Sequence, residues 1–115
     1  GFLHVVDRLK DVIITGGENV YSTEVETALL EHLSVAEAAV IGLPDANWGE
    51  KVVAVVVPTH GATPDPENLS VHCRQRLGGY KVPRDYRVVD ALPKSALGKT
   101  LKAELRAMFT ETPAI

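Results

Sequence analysis

The 115-residue chain is 45% hydrophobic and 23% charged, with a formal net charge of -3. That is ordinary for one soluble globular domain with its own core, and the net acidity argues against nucleic acid as a main partner. No apolar stretch approaches the length of a membrane span, and a single cysteine, Cys73, excludes an internal disulfide.

Charge is unevenly spread. Residues 1–73 carry three Lys/Arg and eleven Asp/Glu, whereas residues 74–115 carry nine and four. A basic C-terminal third is either a solvated surface or a surface that meets phosphates. The N-terminus, Gly-Phe-Leu-His-Val-Val, shows no basic segment and no cleavage pattern. With the lone cysteine, this points to a reducing, cytoplasmic setting.

In chain order, Phe2 to Arg8 reads as a strand that turns at Leu9 to Asp11 into the β-branched strand Val12 to Thr15. Gly16 and Gly17 break that strand. They fit either a hairpin turn or a loop that a ligand approaches closely. A helix is expected from Ser22 to Leu33. Its start is marked by the Thr23-x-x-Glu26 capping box, and Val25, Ala28, Leu29 and Leu33 share one face. Val35 to Leu43 reads as a strand ending at Pro44, and Asp45 to Gly49 as a turn. Glu50 to Thr59 is a strand whose Val/Ala run implies burial on both faces.

Asp65 and Pro66 mark a second helix with Leu69, Cys73 and Leu77 on its apolar stripe, stopped by Gly78-Gly79. On that stripe Cys73 is a small core residue rather than a nucleophile. Tyr86 to Val89 is the last strand, and Leu101, Leu105, Met108 and Phe109 give a final helix its face. The whole reads as an α+β fold: a small two-layer domain, with an N-terminal β-hairpin plus a roughly three-stranded sheet covered by helices.

Chemistry-bearing patterns are few. His4, His32, His60 and His72 lack metal-ligand spacing, and no Ser/His/Asp arrangement is suggested. Neither glycine pair has the P-loop form, so no loop for ATP's outer phosphates is visible. Lys99 stands out. It follows Gly98 near a loop-to-helix junction, where a long cationic side chain can project and a helix N-terminus adds positive charge.

Several segments together resemble the adenylate-forming enzymes, the superfamily of acyl-CoA synthetases and peptide-synthetase adenylation domains. They are Asp7-Arg8-Leu9-Lys10-Asp11, Gly16-Gly17-Glu18-Asn19-Val20-Tyr21, Glu24-Val25-Glu26, Trp48-Gly49-Glu50, Tyr80-Lys81-Val82-Pro83, Leu92-Pro93-Lys94 and Gly98-Lys99. The resemblance runs from about Phe2 to Phe109 and corresponds to the family's mobile C-terminal domain. It implies that residues 1–115 are one domain of a larger enzyme whose N-terminal adenylation domain is its main partner. It is most like fatty-acid and related carboxylate CoA ligases, with ATP and coenzyme A as cofactors and Mg expected on the larger domain.

By the same resemblance, Lys99 is the catalytic lysine that reaches the carboxylate and the α-phosphate during adenylation. Arg8 meets the nucleotide ribose; its bland alternative is an ion pair with Asp7 or Asp11. Lys10 is the hinge about which the domain rotates. Thr15, Gly16 and Gly17 border the pantetheine tunnel, and Trp48, Tyr80 and Lys81 meet the nucleotide end of coenzyme A. Trp48 either stacks on a base or packs over its own turn. Ser22 replaces the family's usual Pro and Asn19 an Arg found in some CoA ligases. Two other readings remain: a domain whose parent loads a carrier protein, or a stand-alone interaction module. Alone, the chain is expected to be inactive.

Overall fold

The computed structural model describes residues 12–110. The elements are β1 (Val12–Thr15), β2 (Glu18–Tyr21), α1 (Ser22–Leu30), β3 (Val35–Asp45), β4 (Gly49–Pro58), α2 (Pro66–Arg74), a 3-10 turn (Gly79–Lys81), β5 (Asp85–Val88) and α3 (Lys102–Thr110). The α+β class holds. The strands expected in two groups join one mixed sheet of five, ordered β2-β1-β4-β3, with β5 also on β4. β3 and β4 form its long antiparallel hairpin, from Val35 opposite Pro58 to Asp45 opposite Gly49. The other edge of β4 is shared. β1 meets it through Thr15 and Gly49, and β5 runs parallel to it from Val53 to Val56.

β4 is buried on both faces, as its Val/Ala run requires. Val52, Ala54 and Val56 pack with Val25 and Leu29 of α1 and Leu69 and Cys73 of α2. Val53 and Val55 point the other way, toward Ile41, Leu43, Leu92 and Leu105. Two helices therefore cover one face and α3 covers the opposite face. Burial pushes the Cys73 thiol pKa up, which suits a core residue rather than a nucleophile.

Several local expectations are corrected. The strand expected at Phe2 to Arg8 lies outside the described residues. The described hairpin is β1–β2, closed by Gly16 and Gly17, and Glu18–Tyr21 is a strand. Helix α1 ends at Leu30, because the chain must turn back to enter β3. Leu33 is consequently 92% exposed. No capping box forms: Tyr21 is the N-cap, without a side-chain hydrogen bond. The Glu26 carboxylate instead accepts from the Val40 N–H at 2.9 Å.

Pro44 does not end β3, because β3 is an edge strand and a missing N–H is tolerated there. Helix α2 starts as expected, with Asp65 accepting from the Glu67 N–H, but it stops at Arg74, ahead of Gly78-Gly79. Leu105 is fully buried in α3, whereas Met108 is 52% exposed.

At the end of α1, His32 meets His72 edge to face, with ring centroids 5.0 Å apart. The His32 Nδ1 accepts from the Ser34 N–H at 3.1 Å. Burial lowers the His32 pKa, and the charges of His72 and Arg76 lower it further. The folded state thus holds this proton less tightly than the unfolded chain. Its stabilising contribution is present above the unfolded value of about 6.5 and declines as pH falls below it. Melting temperature should therefore drop on acidification from about pH 7.5 to about pH 5.5. The drop should be smaller in His32→Asn, which keeps an acceptor near the Nδ1 position. An equal drop in both proteins, measured by circular dichroism, rules out His32 as the source.

Candidate functional site

The residues singled out from the sequence fall at two places. The first is the closed end of the β3–β4 hairpin. Gly16 and Gly17 have φ of 58° and 83°, and Thr15 pairs with Glu18 around them. A two-residue loop with both φ values positive matches the right-handed twist of its strands, and glycine enters that region without a Cβ clash. Thr15 is buried. The Gly16 N–H donates to the Trp48 carbonyl at 2.9 Å. A Cβ on Gly16 would lie 2.7 Å from the Trp48 ring, whereas one on Gly17 would meet nothing within 4 Å.

Trp48 is held there by its turn. Asp45 Oδ1 accepts from the Asn47 and Trp48 N–H groups at 2.8 and 3.1 Å. The indole packs on Gly16 yet stays 40% exposed, so it covers its turn and also offers surface. The Arg84 guanidinium lies 4.0 Å from the ring centroid. Sequence reasoning missed Arg84, because only the tertiary fold brings it to Trp48; the signal available was its place just after Tyr80-Lys81-Val82-Pro83. Tyr80 is exposed. Lys81, expected at the nucleotide end of coenzyme A, meets a carboxylate within the domain. Its ammonium pairs with Glu24 at 3.0 Å, and that hydrogen bond raises its pKa.

The second place is the turn carrying Lys99. Lys94 and Thr100 form an antiparallel bridge. The Ser95 N–H donates to the Lys99 carbonyl at 2.8 Å, and Ser95 Oγ accepts from the Leu97 and Lys99 N–H groups at 3.2 and 3.3 Å. Gly98, at φ 86°, allows the reversal. Lys99 therefore sits in the return arm of a tight turn, with α3 beginning only at Lys102. It rims a groove of about 610 Å³ lined also by Glu26, Ala38, Ser95 and Lys102.

Lys51, Lys81, Lys94 and Lys102 are each ion-paired. Lys99 is exposed and, among the described residues, has no carboxylate partner. Arg8 and Lys10 lie outside the described residues.

The two places are far apart. The Lys99 groove abuts Ala38 near the start of β3, while Trp48 follows Asp45 at its end. At about 3.3 Å per residue, Ala38 and Asp45 stand about 23 Å apart.

Residues 24–99 match the family described as the AMP-binding enzyme C-terminal domain. The chain belongs to that family. The domain is 51% identical over 109 residues to a feruloyl-CoA synthase of Amycolatopsis sp, covering 95% of this chain and 22% of that protein. It is 48% identical over 111 residues to a long-chain-fatty-acid–CoA ligase of Bacillus subtilis, covering 96% and 20%. A solved Mycobacterium tuberculosis fatty acyl CoA synthetase superposes with a TM-score of 0.85 at 42% identity, over 91% of this chain and 21% of that one. The domain thus spans about a fifth of the length of these relatives. Among the described residues, no helix is long and apolar enough to cross a membrane, and no group of three or more His, Cys, Asp or Glu could hold a metal.

The packing of Trp48 gives a direct test. It is the only tryptophan in the chain, so its fluorescence reports this site alone. Gly16→Ala should shift the emission, because its Cβ and the ring cannot share the space. Gly17→Ala carries a similar φ penalty, about 1–2 kcal/mol, without that collision. It should lower stability with little change in emission. Equal spectral shifts in both variants contradict the packing.

Proposed function

We propose that this chain is the mobile C-terminal domain of an acid–thiol ligase of the acyl-CoA synthetase type. In this reading the parent joins a carboxylic acid to AMP, releasing pyrophosphate from MgATP, and then moves the acyl group to the thiol of coenzyme A. Mg and the outer phosphates of ATP belong to the larger N-terminal domain, as does the pocket that selects the acid. A cytoplasmic location goes with the reading.

The observation that carries it is the separation of the two places. One is a turn presenting Lys99, a lysine with no carboxylate partner among the described residues. The other is a glycine turn packed under an exposed indole and an arginine. A span of about 23 Å is too long for both to face one reacting carbon at once. Two successive poses about a hinge at Lys10 let each face it in turn.

In the first pose an acid carboxylate attacks the α-phosphorus, bringing two anions together. The Lys99 ammonium offsets that repulsion and stabilises the charge on the transferring group. Arg8 is assigned to the nucleotide ribose. In the second pose the Thr15, Gly16 and Gly17 turn borders the passage for pantetheine, where a side chain would narrow it. Trp48 and Tyr80 offer aromatic faces to the nucleotide end of coenzyme A. Lys81, exchanging its partly exposed pair with Glu24 for a phosphate, and Arg84 beside the indole are the phosphate partners there.

Lys99→Ala in the full-length enzyme should slow acid-dependent pyrophosphate exchange by about 10²–10³-fold, as removal of one preorganised charge does. Turnover of pre-formed acyl-AMP with coenzyme A should change far less. Equal loss in both half-reactions contradicts the assignment. Turnover with a carrier protein in place of coenzyme A would move the acceptor to protein-borne pantetheine.

Lys10 is tested by two substitutions. Lys10→Ala keeps the backbone freedom of a pivot and should be nearly harmless. Lys10→Pro fixes φ near about -65° and restricts the preceding residue. It should spare pyrophosphate exchange more than thioester formation, because only the second step requires the glycine turn to swing inward. Equal damage from both substitutions would show that Lys10 acts through its charge.

A further inference from the structure

The Lys99 side chain is exposed, so packing alone does little to set its direction. Its position depends on how firmly its turn is fixed to the body of the domain. Within the turn, the Lys94–Thr100 bridge and the Ser95 hydrogen bonds fix the loop to itself. The Leu101 N–H donates to the Pro93 carbonyl at 2.8 Å and closes the base. None of these contacts reaches α1 or the sheet; Lys94 Nζ does reach Glu37 Oε1 of β3 at 2.6 Å, through side chains 40% and 43% exposed, where an ion pair constrains little.

A more deeply buried attachment comes just after. Lys102, the first residue of α3, donates from Nζ to Glu26 Oε2 at 2.6 Å and to Ser22 Oγ at 3.0 Å. Glu26 Oε2 also accepts from the Val40 N–H at 2.9 Å. One carboxylate oxygen thus joins α1, the edge of β3 and the start of α3. The Lys102 and Glu26 side chains are 16% and 18% exposed, and Ser22 is 1% exposed.

Desolvating such a pair offsets much of its attraction, and an apolar contact of similar volume often stabilises a fold as well. What an ionic contact adds is direction. Leu105 already holds α3 to the sheet through apolar packing, which permits sliding and rotation. The Lys102–Glu26–Ser22 contact fixes where the helix begins, and hence where the Lys99 turn projects.

We infer that Lys102 and Glu26 are positioning residues for Lys99, acting in the adenylation half-reaction without touching substrate. This rests on the adenylating role of Lys99 proposed above. A displacement of about 1 Å at a reacting group can cost about 10²-fold in rate.

The test uses the full-length enzyme and the double variant Lys102→Met/Glu26→Gln. Methionine keeps an unbranched stem of similar bulk, and glutamine still accepts from the Val40 N–H. The charges of the Lys102–Glu26 pair are removed together. Acid-dependent pyrophosphate exchange is measured with ferulate or decanoate, whichever the wild type uses faster. Pre-formed acyl-AMP with coenzyme A reports the second half-reaction.

The double variant should lose about 10- to 10²-fold in exchange, mainly in kcat, with thioester formation within about twofold of wild type. On a Lys99→Ala background, the same substitutions should cost little more, because nothing remains to position. Lys102→Arg should restore part of the exchange rate.

Equal loss in both half-reactions, or full exchange activity in the double variant while Lys99→Ala is impaired, overturns the inference and leaves the role of Lys99 standing. Full exchange activity in Lys99→Ala overturns that role, and the inference with it.

Discussion

Burial of β4 on both faces is the constraint from which the rest of the domain follows. Val52 to Val56 are all at most 1% exposed, so side chains pointing in both directions need cover. One layer of helices cannot provide it. Helices α1 and α2 close one face, while α3, with Leu92 from the preceding loop, closes the other. The chain must cross from one face to the other after β5. Val89 and Leu92 already pack on the second face, and the segment between Leu92 and α3 carries Lys99. Each buried valine contributes about 1.5–3 kcal/mol, far more than any single polar contact here.

The same strand sets the distance between the candidate sites. β3 and β4 pair along their whole lengths, so the hairpin is a stiff rod. Its closed end bears Trp48 and meets the glycine turn of β1–β2. Near its open end, Ala38 and Ala39 meet the Lys99 turn. Neither group can approach the other without breaking the ladder.

Electrostatics refines this frame without supporting it. Lys81–Glu24, Lys94–Glu37 and Arg76–Glu31 are partly exposed pairs, each worth about 0–1 kcal/mol. Their effect on available charge is larger than their effect on stability. With Arg87–Asp85 and Lys102–Glu26 they engage five of the nine basic side chains of residues 74–115, and Arg74, Arg84, Lys99 and Arg106 have no carboxylate partner among the described residues. Lys102–Glu26 differs in being mostly buried and in linking three elements.

Much of this was legible in the sequence because the signals are local. The two-sided burial of β4 followed from an unbroken Val/Ala run, the start of α2 from Asp65-Pro66, and the interior place of Cys73 from helical spacing. The Gly16-Gly17 and Gly98-Lys99 motifs identified the family without any coordinates. Other features depended on neighbours distant in the chain. Glu18–Tyr21 is too short and polar to read as a strand until β1 supplies its ladder. Thr23 and Glu26 have capping-box spacing, but Glu26 finds a better donor on β3 and a cation on α3. Leu33 keeps helical periodicity, but the chain has to turn before reaching it. Pairing decided the rest: Lys81 meets Glu24, Arg84 reaches Trp48, and Lys99 has no carboxylate partner among the described residues. Residue type and spacing determine which groups a chain can offer, whereas three-dimensional neighbours decide which are already engaged.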